Sequence, residues 1–271
     1  MDVGSTRADA AIARLEARVA ELEAVVARLE GADATPAWGT PEGVAKPRPE
    51  PSAWASPPRG SAPSPVHDEG SAVDGVCREI AGGSMWQGSA PVRLGGRAWR
   101  VIEVVDGKAL LLADQVVDRR PYHEEQVAVT WENCDLRRWL NDEFCESLGE
   151  SLTSRVMTVK VRNEPNPAWG TPSGRDTKDQ FFLLSLSEAA LYFTAADPDV
   201  WEDYSDPIPC LGAYGNATDG RGKRAVWWLR SPGLDPDGAA TVNTNGFVDA
   251  NGLIVSMSAG VRPAFWLDLR S

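Results

Sequence analysis

The sequence predicts an α+β domain of short strands, two helices and long loops, and three features carry that expectation. Residues 98–105 and 108–113 are short apolar runs joined by Asp106-Gly107, a two-residue hairpin signal. From Asp135 the apolar spacing becomes helical, with Leu136, Trp139, Leu140, Phe144 and Leu148 on one face and Asp135 placed as the N-cap. The last third is punctuated by Gly and Asn, and its apolar runs at 226–230, 239–243, 253–257 and 261–267 are each of strand length. Between these parts, residues 180–185 read as a buried strand and residues 187–193 as a short capped helix.

Composition narrows the function classes. The chain has 271 residues with 39 acidic and 27 basic side chains, a net charge of −12. That balance argues against a nucleic-acid partner, because a phosphate backbone is met by clustered positive charge. No apolar run approaches the roughly 18 residues of a membrane span. The start, Met1-Asp2-Val3-Gly4-Ser5, lacks the basic and apolar regions of a secretory signal, so a cytoplasmic or phage-associated protein is expected. Cys77, Cys134, Cys145 and Cys210 include no CxxC pair and read as buried thiols rather than zinc ligands or disulfides. His67 lies in a Pro/Ser-rich stretch, which leaves His123 as the one imidazole of the folded part and excludes a two-histidine metal site. There is no phosphate-binding Gly-rich loop and no Gly-x-Ser-x-Gly elbow. Neither a metal nor a cofactor is expected. The 11 Trp, against 4 Tyr and 6 Phe, suit both a core and a recognition surface.

Two segments precede the domain. In residues 6–30, Ile12, Leu15, Val19, Leu22, Val26 and Leu29 are spaced 3-4-3-4-3, with β-branched residues at a and Leu at d. This pattern favours a parallel coiled-coil dimer, with Arg18 at g facing Glu23 at e of the partner; three heptads are marginal alone, and a trimer stays open. A homo-oligomer through residues 6–30 is the expectation. Residues 31–75 are dominated by Pro, Ala, Ser and Gly and predict a disordered, extended linker. Within it Pro36-Ala37-Trp38-Gly39-Thr40-Pro41-Glu42-Gly43 returns as Pro167-Ala168-Trp169-Gly170-Thr171-Pro172-Ser173-Gly174, with one position changed.

Residues 76–271 form the expected domain, and several of its strings are distinctive. Trp227-Trp228-Leu229-Arg230-Ser231-Pro232-Gly233 leads through a Gly/Asn-rich stretch to Gly260-Val261-Arg262-Pro263-Ala264-Phe265-Trp266-Leu267. Upstream stand Thr130-Trp131, Leu136-Arg137-Arg138-Trp139-Leu140-Asn141 and Asp176-Thr177-Lys178-Asp179, the last before Phe181-Phe182-Leu183-Leu184-Ser185 and Glu188. Together these resemble the bacterial domain-of-unknown-function family numbered 6273, from about Trp99 to Leu267. The family in turn resembles the C-type-lectin-like fold of formylglycine-generating enzymes and of the variable proteins of diversity-generating retroelements. The resemblance implies a scaffold of tryptophans, glycines and a late arginine that carries a C-terminal segment diversified by adenine mutagenesis.

The residues support a parallel physical reading. Trp227, Trp228, Arg230, Gly260, Arg262 and Trp266 form the expected scaffold. An arginine inside an apolar run requires carboxylate or carbonyl partners, and Asp179 and Glu188 are the candidates. Between the two motifs, Leu234, Asp235, Asp237, Asn243, Asn245, Phe247, Asp249, Asn251, Ser256 and Ser258 are the expected ligand-facing residues. Alternation along 242–249 would put Asn243, Asn245, Phe247 and Asp249 on one face of a ribbon, although Asn243-Thr244-Asn245-Gly246 and Asp249-Ala250-Asn251-Gly252 are also turn signals. Small polar residues around an aromatic anchor suit adaptable recognition of a protein or other macromolecule.

Enzyme chemistry finds less support. The late cysteine pair of formylglycine-generating enzymes has no counterpart after Cys210. Glu164-Pro165-Asn166 matches a lectin calcium tripeptide by letters, but no Trp-Asn-Asp follows. The sequence therefore favours a non-enzymatic binding protein. The competing readings are an enzyme or sensor with a pocket near His123, Trp131 and Asp179, and a phage or envelope assembly component.

Overall fold

The computed structural model describes residues 69–83, 90–194, 208–210 and 215–270. The heptad segment at 6–30, the linker up to residue 68 and the linker copy of the repeated octapeptide lie outside the described residues. The first helix, Glu69–Ala81 (α1), starts inside the stretch that composition assigns to the linker. Its Val73, Cys77 and Ile80 are buried, an i, i+4, i+7 stripe that packs on the domain.

Val92–Leu94 (β1), Arg97–Val105 (β2) and Lys108–Ala113 (β3) follow as an antiparallel meander. The expected hairpin is present: Asp106 and Gly107 both take positive φ, 51° and 73°, as a type I′ turn requires. Asp118–Pro121 (β4) leads to the helix Asp135–Trp139 (α2). Here the sequence reading is corrected by one residue. Cys134 is the N-cap, its Sγ accepting from the Arg137 amide at 3.4 Å, and Asp135 is the first helical residue, which frees its carboxylate for His123 and Arg138. The helix widens into a π-helical turn, Leu140–Phe144, that keeps Leu136, Leu140 and Phe144 buried while Trp139 is half-buried. Glu150–Thr153 (α3) and the two-stranded pair Val159–Val161 (β5) and Thr177–Asp179 (β6) come next.

Residues 181–185 are buried as expected and Gln180 is half-buried, but the segment is not a ladder strand; only Phe182 bridges, to Ala264. The Arg230 side chain takes the Leu183 carbonyl and the Arg230 amide that of Leu184. Asn141 Oδ1 accepts from the amides of Gln180 and Phe181, and Phe182 exchanges both backbone bonds with Ala264. The segment thus divides its hydrogen bonds among three partners instead of pairing along one strand. The helix Leu186–Phe193 (α4) then starts on a capping box in which Ser185 and Glu188 satisfy each other's backbone amides.

Ile208–Pro209 (β7), Trp227–Pro232 (β8), Gly238–Val242 (β9), Phe247–Ile254 (β10) and Ser258–Val261 (β11) build a six-stranded sheet in the order β4-β11-β8-β9-β10-β7. It is antiparallel except for one parallel pairing of Gly260 with Trp227. The last strand, Ala264–Asp268 (β12), returns along β3 and completes a four-stranded sheet, β1-β2-β3-β12. Two expectations change in this region. The run at 253–257 straddles the end of β10, with a turn after Ile254. Asp249-Ala250-Asn251-Gly252 is not a turn between strands but a bulge within β10, where the register shifts between Asp249 and Leu253. The result is a mixed α+β domain with few helices and several largely antiparallel sheets. No helix among the described residues is long and apolar enough to cross a membrane.

Candidate functional site

The expected scaffold is assembled by burial. Trp227 and Trp228 are fully buried, and Trp228 Nε1 donates to the Arg120 carbonyl at 2.9 Å. Arg230 is buried and grips Glu188 with both guanidinium ends, while also donating to the carbonyls of Leu183 and Arg162. Arg262 is buried at β11's end, donating to the carbonyls of Ala113 (2.7 Å) and Asp114 (3.3 Å), with its guanidinium 4.9 Å from the centre of the Trp227 ring. Gly260 has no room for a side chain: a Cβ would lie 2.6 Å from Val116 Cγ2 and 2.9 Å from the Val226 carbonyl. Trp266 stands apart, half-buried beneath the Lys108 ammonium.

Of the two expected carboxylate partners, Glu188 pairs with Arg230, whereas Asp179 serves neither scaffold arginine. Asp179 is buried and accepts from Arg137 Nε (2.7 Å), Trp131 Nε1 (3.0 Å) and Thr177 Oγ1 (2.7 Å), which ties β6 to α2. His123 meets Asp135 at 2.7 Å. A cleft of about 210 Å³ opens beside that pair, lined by Arg120, Pro121, Glu124, Asp135, Leu136 and Trp139 among others, with the Arg120 guanidinium over the Trp139 ring at 4.1 Å. Trp131 and Asp179 do not line it. Burial pushes the thiols of Cys134 and Cys210 up to about 12 and raises those of Cys77 and Cys145, which keeps all four protonated and poor nucleophiles near neutrality. No cluster of three metal-binding side chains occurs among the described residues.

None of the ten expected ligand-facing residues is fully buried, but they do not share one face. Asn243, Asn245 and Phe247 lie at the β9–β10 turn, where Asn243 Oδ1 accepts from the amides of Asn245 and Phe247. Asp249 holds the amide of Asn251 at 3.0 Å within the bulge. Ser258 opens β11 opposite Pro121. Leu234, Asp235, Asp237, Asn251 and Ser256 lie at the other end of the hairpin, because the bulge diverts the second half of β10 from simple alternation.

At that end four segments are joined by hydrogen bonds. The Leu234 amide donates to the Asn251 carbonyl (3.0 Å), and the Val255 amide to that of Asp237 (2.9 Å). The Val129 amide donates to the Pro236 carbonyl, and Gln126 Nε2 to the Asp237 carboxylate at 3.0 Å. Thr171 Oγ1 donates to the Leu234 carbonyl at 2.8 Å. The central tie is Asn166, which is buried. Its amide group donates to the carbonyls of Pro232, Gly233 and Ala250, and its Oδ1 accepts from the amides of Ala168 and Trp169. Sequence reasoning sees Asn166 only as the last letter of a tripeptide. The available signal is local: an Asn before Pro-Ala-Trp-Gly suits an Asx turn, but its three long-range partners leave no trace in the sequence. With its oxygen occupied twice by backbone amides, Asn166 is a structural strut rather than a calcium ligand.

The four segments, 123–129, 166–171, 232–237 and 250–257, carry Glu124, Glu125, Asp235 and Asp237 and contain no Lys or Arg. They also hold Val127, Trp169, Leu234, Ile254 and Met257, all exposed large apolar side chains. An acidic, partly apolar set of loops on a rigid frame has the makeup of a recognition surface.

These features define a mixed α+β domain with a buried arginine–tryptophan frame and a loop-built surface. Residues 106–269 match the family described as Domain of unknown function (DUF6273), and the chain belongs to that family. No curated protein and no solved structure matches the chain.

Proposed function

We propose that this chain is a non-enzymatic ligand-binding protein that recognises a protein or other macromolecule through its C-terminal loops. One observation carries the reading: exposed apolar and acidic side chains concentrate on four mutually hydrogen-bonded segments, held on a frame whose own polar groups are satisfied. A surface meant only for water would not gather Trp169, Leu234, Ile254 and Met257 in one connected set of loops. On this reading the scaffold is C-type-lectin-like, and the segment 234–258 is the stretch diversified as in retroelement variable proteins. Residues 6–30 multimerise the domain, so that weak sites gain avidity. The protein acts in the cytoplasm or on a phage particle.

Deep sequencing of codons 234–258 and the flanking DNA across a population of the source organism tests this. The expected result is substitutions clustered at adenine positions, with a near-copy of the stretch and a reverse transcriptase nearby. Changes should fall at Leu234, Asp235, Asp237, Asn245 and Ser256 and spare the buried Ala239, Ala240, Val242 and Val248. A uniform segment without such a copy would overturn diversification and leave a surface of fixed specificity. A second reading, an enzyme or sensor, draws on the cleft beside the His123–Asp135 pair. Turnover of any substrate that is lost in Asp135→Asn would favour it.

A further inference from the structure

The chain is acidic overall, yet one turn is strongly basic. Asp219-Gly220-Arg221-Gly222-Lys223-Arg224 places three cations within four residues, and all three are exposed. Elsewhere arginines are commonly engaged with carboxylates, as in Arg137–Asp179, Arg175–Glu132, Arg230–Glu188 and Arg270–Asp268. Arg221, Lys223 and Arg224 form no ion pair among the described residues. Arg119, on β4 three residues after Val116, whose amide donates to the Thr218 carbonyl at 3.2 Å, is also exposed, and among the described residues its guanidinium donates to the Ser258 carbonyl. It lies close enough to add to the field that lowers the Asp219 pKa.

The turn is built, not loose. Asp219 Oδ1 accepts from the amides of Arg221 and Lys223, both at 2.9 Å. The Asp219 amide donates to the Lys223 carbonyl and the Gly222 amide to the Asp219 carbonyl. Thr218 bridges to Arg224 and is anchored through its hydroxyl to Gln115 at 2.8 Å. The amide bonds and neighbouring cations hold the Asp219 carboxyl below the usual carboxylate range. Like charges brought this close repel one another, and the fold spends an aspartate on keeping them together. Gly222 is explained by its φ of 76°, but Gly220 has ordinary φ and open space around a would-be Cβ, so nothing within the domain requires a glycine there. Its bare backbone lets a ligand approach closely.

We propose that the turn 219–224, together with Arg119, binds a linear phosphate-bearing polymer. Two arginines and a lysine on a fixed turn match phosphate oxygens, which arginine grips in bidentate fashion. The acidity of the whole chain does not oppose this. At physiological salt charge is screened over about 8 Å, so a single strand feels the turn, where three cations outnumber the Asp219 carboxylate, more than carboxylates farther off. A broad anionic bilayer would meet those carboxylates as well, and the turn carries no exposed large apolar side chain to insert into one. The net negative charge therefore disfavours wide phosphate surfaces and leaves one narrow contact.

The test is fluorescence anisotropy of the full chain with labelled long-chain inorganic polyphosphate and with a single-stranded oligonucleotide, alongside phosphatidylglycerol vesicles. Binding of at least one of the two polymers, weakening as salt rises, is expected, and which of them binds identifies the source of the phosphates. The triple variant Arg221→Gln/Lys223→Gln/Arg224→Gln should lose about tenfold or more in affinity and flatten the slope of log K against log salt by about 2. Lys223→Gln alone, which leaves Asp219 and its hydrogen bonds in place, should flatten it by about 0.7. Arg93→Gln/Lys178→Gln, at exposed cations elsewhere, should behave as the parent. Failure of both polymers to bind at low salt, equal losses in the Arg93/Lys178 control, or preferential binding to vesicles would each overturn the proposal. Leu234→Ser/Ile254→Ser should leave polymer binding unchanged, which separates this contact from the loop surface.

Discussion

The hairpins β2–β3 and β9–β10 are both antiparallel and both close on a turn with glycine at positive φ, yet they handle an interruption differently. In β2 a single residue, Ile102, is inserted between the pairs Val101–Leu111 and Glu103–Leu110, and it is buried. In β10 the three residues 250–252 stand against Ala240 alone, and Asn251 and Gly252 remain partly exposed. One extra residue is absorbed by the core and the strand continues. Two extra residues throw the far half of the strand toward loops 232–237 and 166–171, where Asn166 gathers their carbonyls. A bulge is a means of re-aiming a chain, and here it separates a sheet that only supports from one that also presents a surface.

The sharpest way to break this contrast is to remove the strut. Asn166→Ala should strand three buried carbonyls and two amides and lower stability by about 3–5 kcal/mol in urea unfolding. A loss no larger than that of an ordinary surface substitution would mean the loop end holds without it. Next come the two glycines of similar φ. Gly252→Ala would place a Cβ 2.0 Å from the Ala239 carbonyl oxygen, on backbone that cannot yield, and should cost about 3 kcal/mol or more. Gly107→Ala meets only the flexible Arg270 side chain and should cost about 1 kcal/mol. Equal losses in thermal melts of the two variants would erase the distinction between the hairpins.

Alkaline pH probes the six-stranded sheet next. Cys210, whose amide binds the Gly246 carbonyl beside β10, has its thiol pushed up to about 12 by burial. A folded value above the unfolded one means this stabilisation is complete below the unfolded thiol's value and is lost as pH rises toward 12. Between about pH 8 and about pH 10 the loss from this thiol should approach about 2 kcal/mol. Cys210→Ala should flatten that part of the pH–stability curve; an unchanged curve would place the alkaline sensitivity in other buried groups, such as Cys134 and Tyr122. The smallest effect belongs to the surface itself. Leu234→Ser and Ile254→Ser should each stay within about 0.5 kcal/mol of the parent, since both side chains are exposed.

Much of the frame is legible in the amino-acid sequence. Asp106-Gly107 dictates its own turn because few other pairs accept left-handed φ twice. Ser185 and Glu188 announce a helix start because capping is local. Glu188 is a foreseeable partner for Arg230, since a guanidinium within an apolar run must find a carboxylate. The same logic fails for Asp179, because Trp131 and Arg137 from the neighbourhood of α2 and Thr177 from its own strand reach it first. It also fails at Asp135, where Cys134 has the extended backbone that a cap needs.

By itself, the sequence determined which residues are apolar, where the chain turns, and that the scaffold arginines require partners, all properties of short windows. Only the tertiary structure decided that Asp249-Ala250-Asn251-Gly252 is a bulge rather than a turn, since that depends on β9 continuing alongside it. It also decided that residues 180–185 divide their hydrogen bonds among Arg230, Asn141 and Ala264, and that four segments spread over more than a hundred residues meet at the loop end that Asn166 ties. Such contacts join groups far apart in the chain. Their energy depends on where the rest of the backbone has been laid, and no local pattern encodes that.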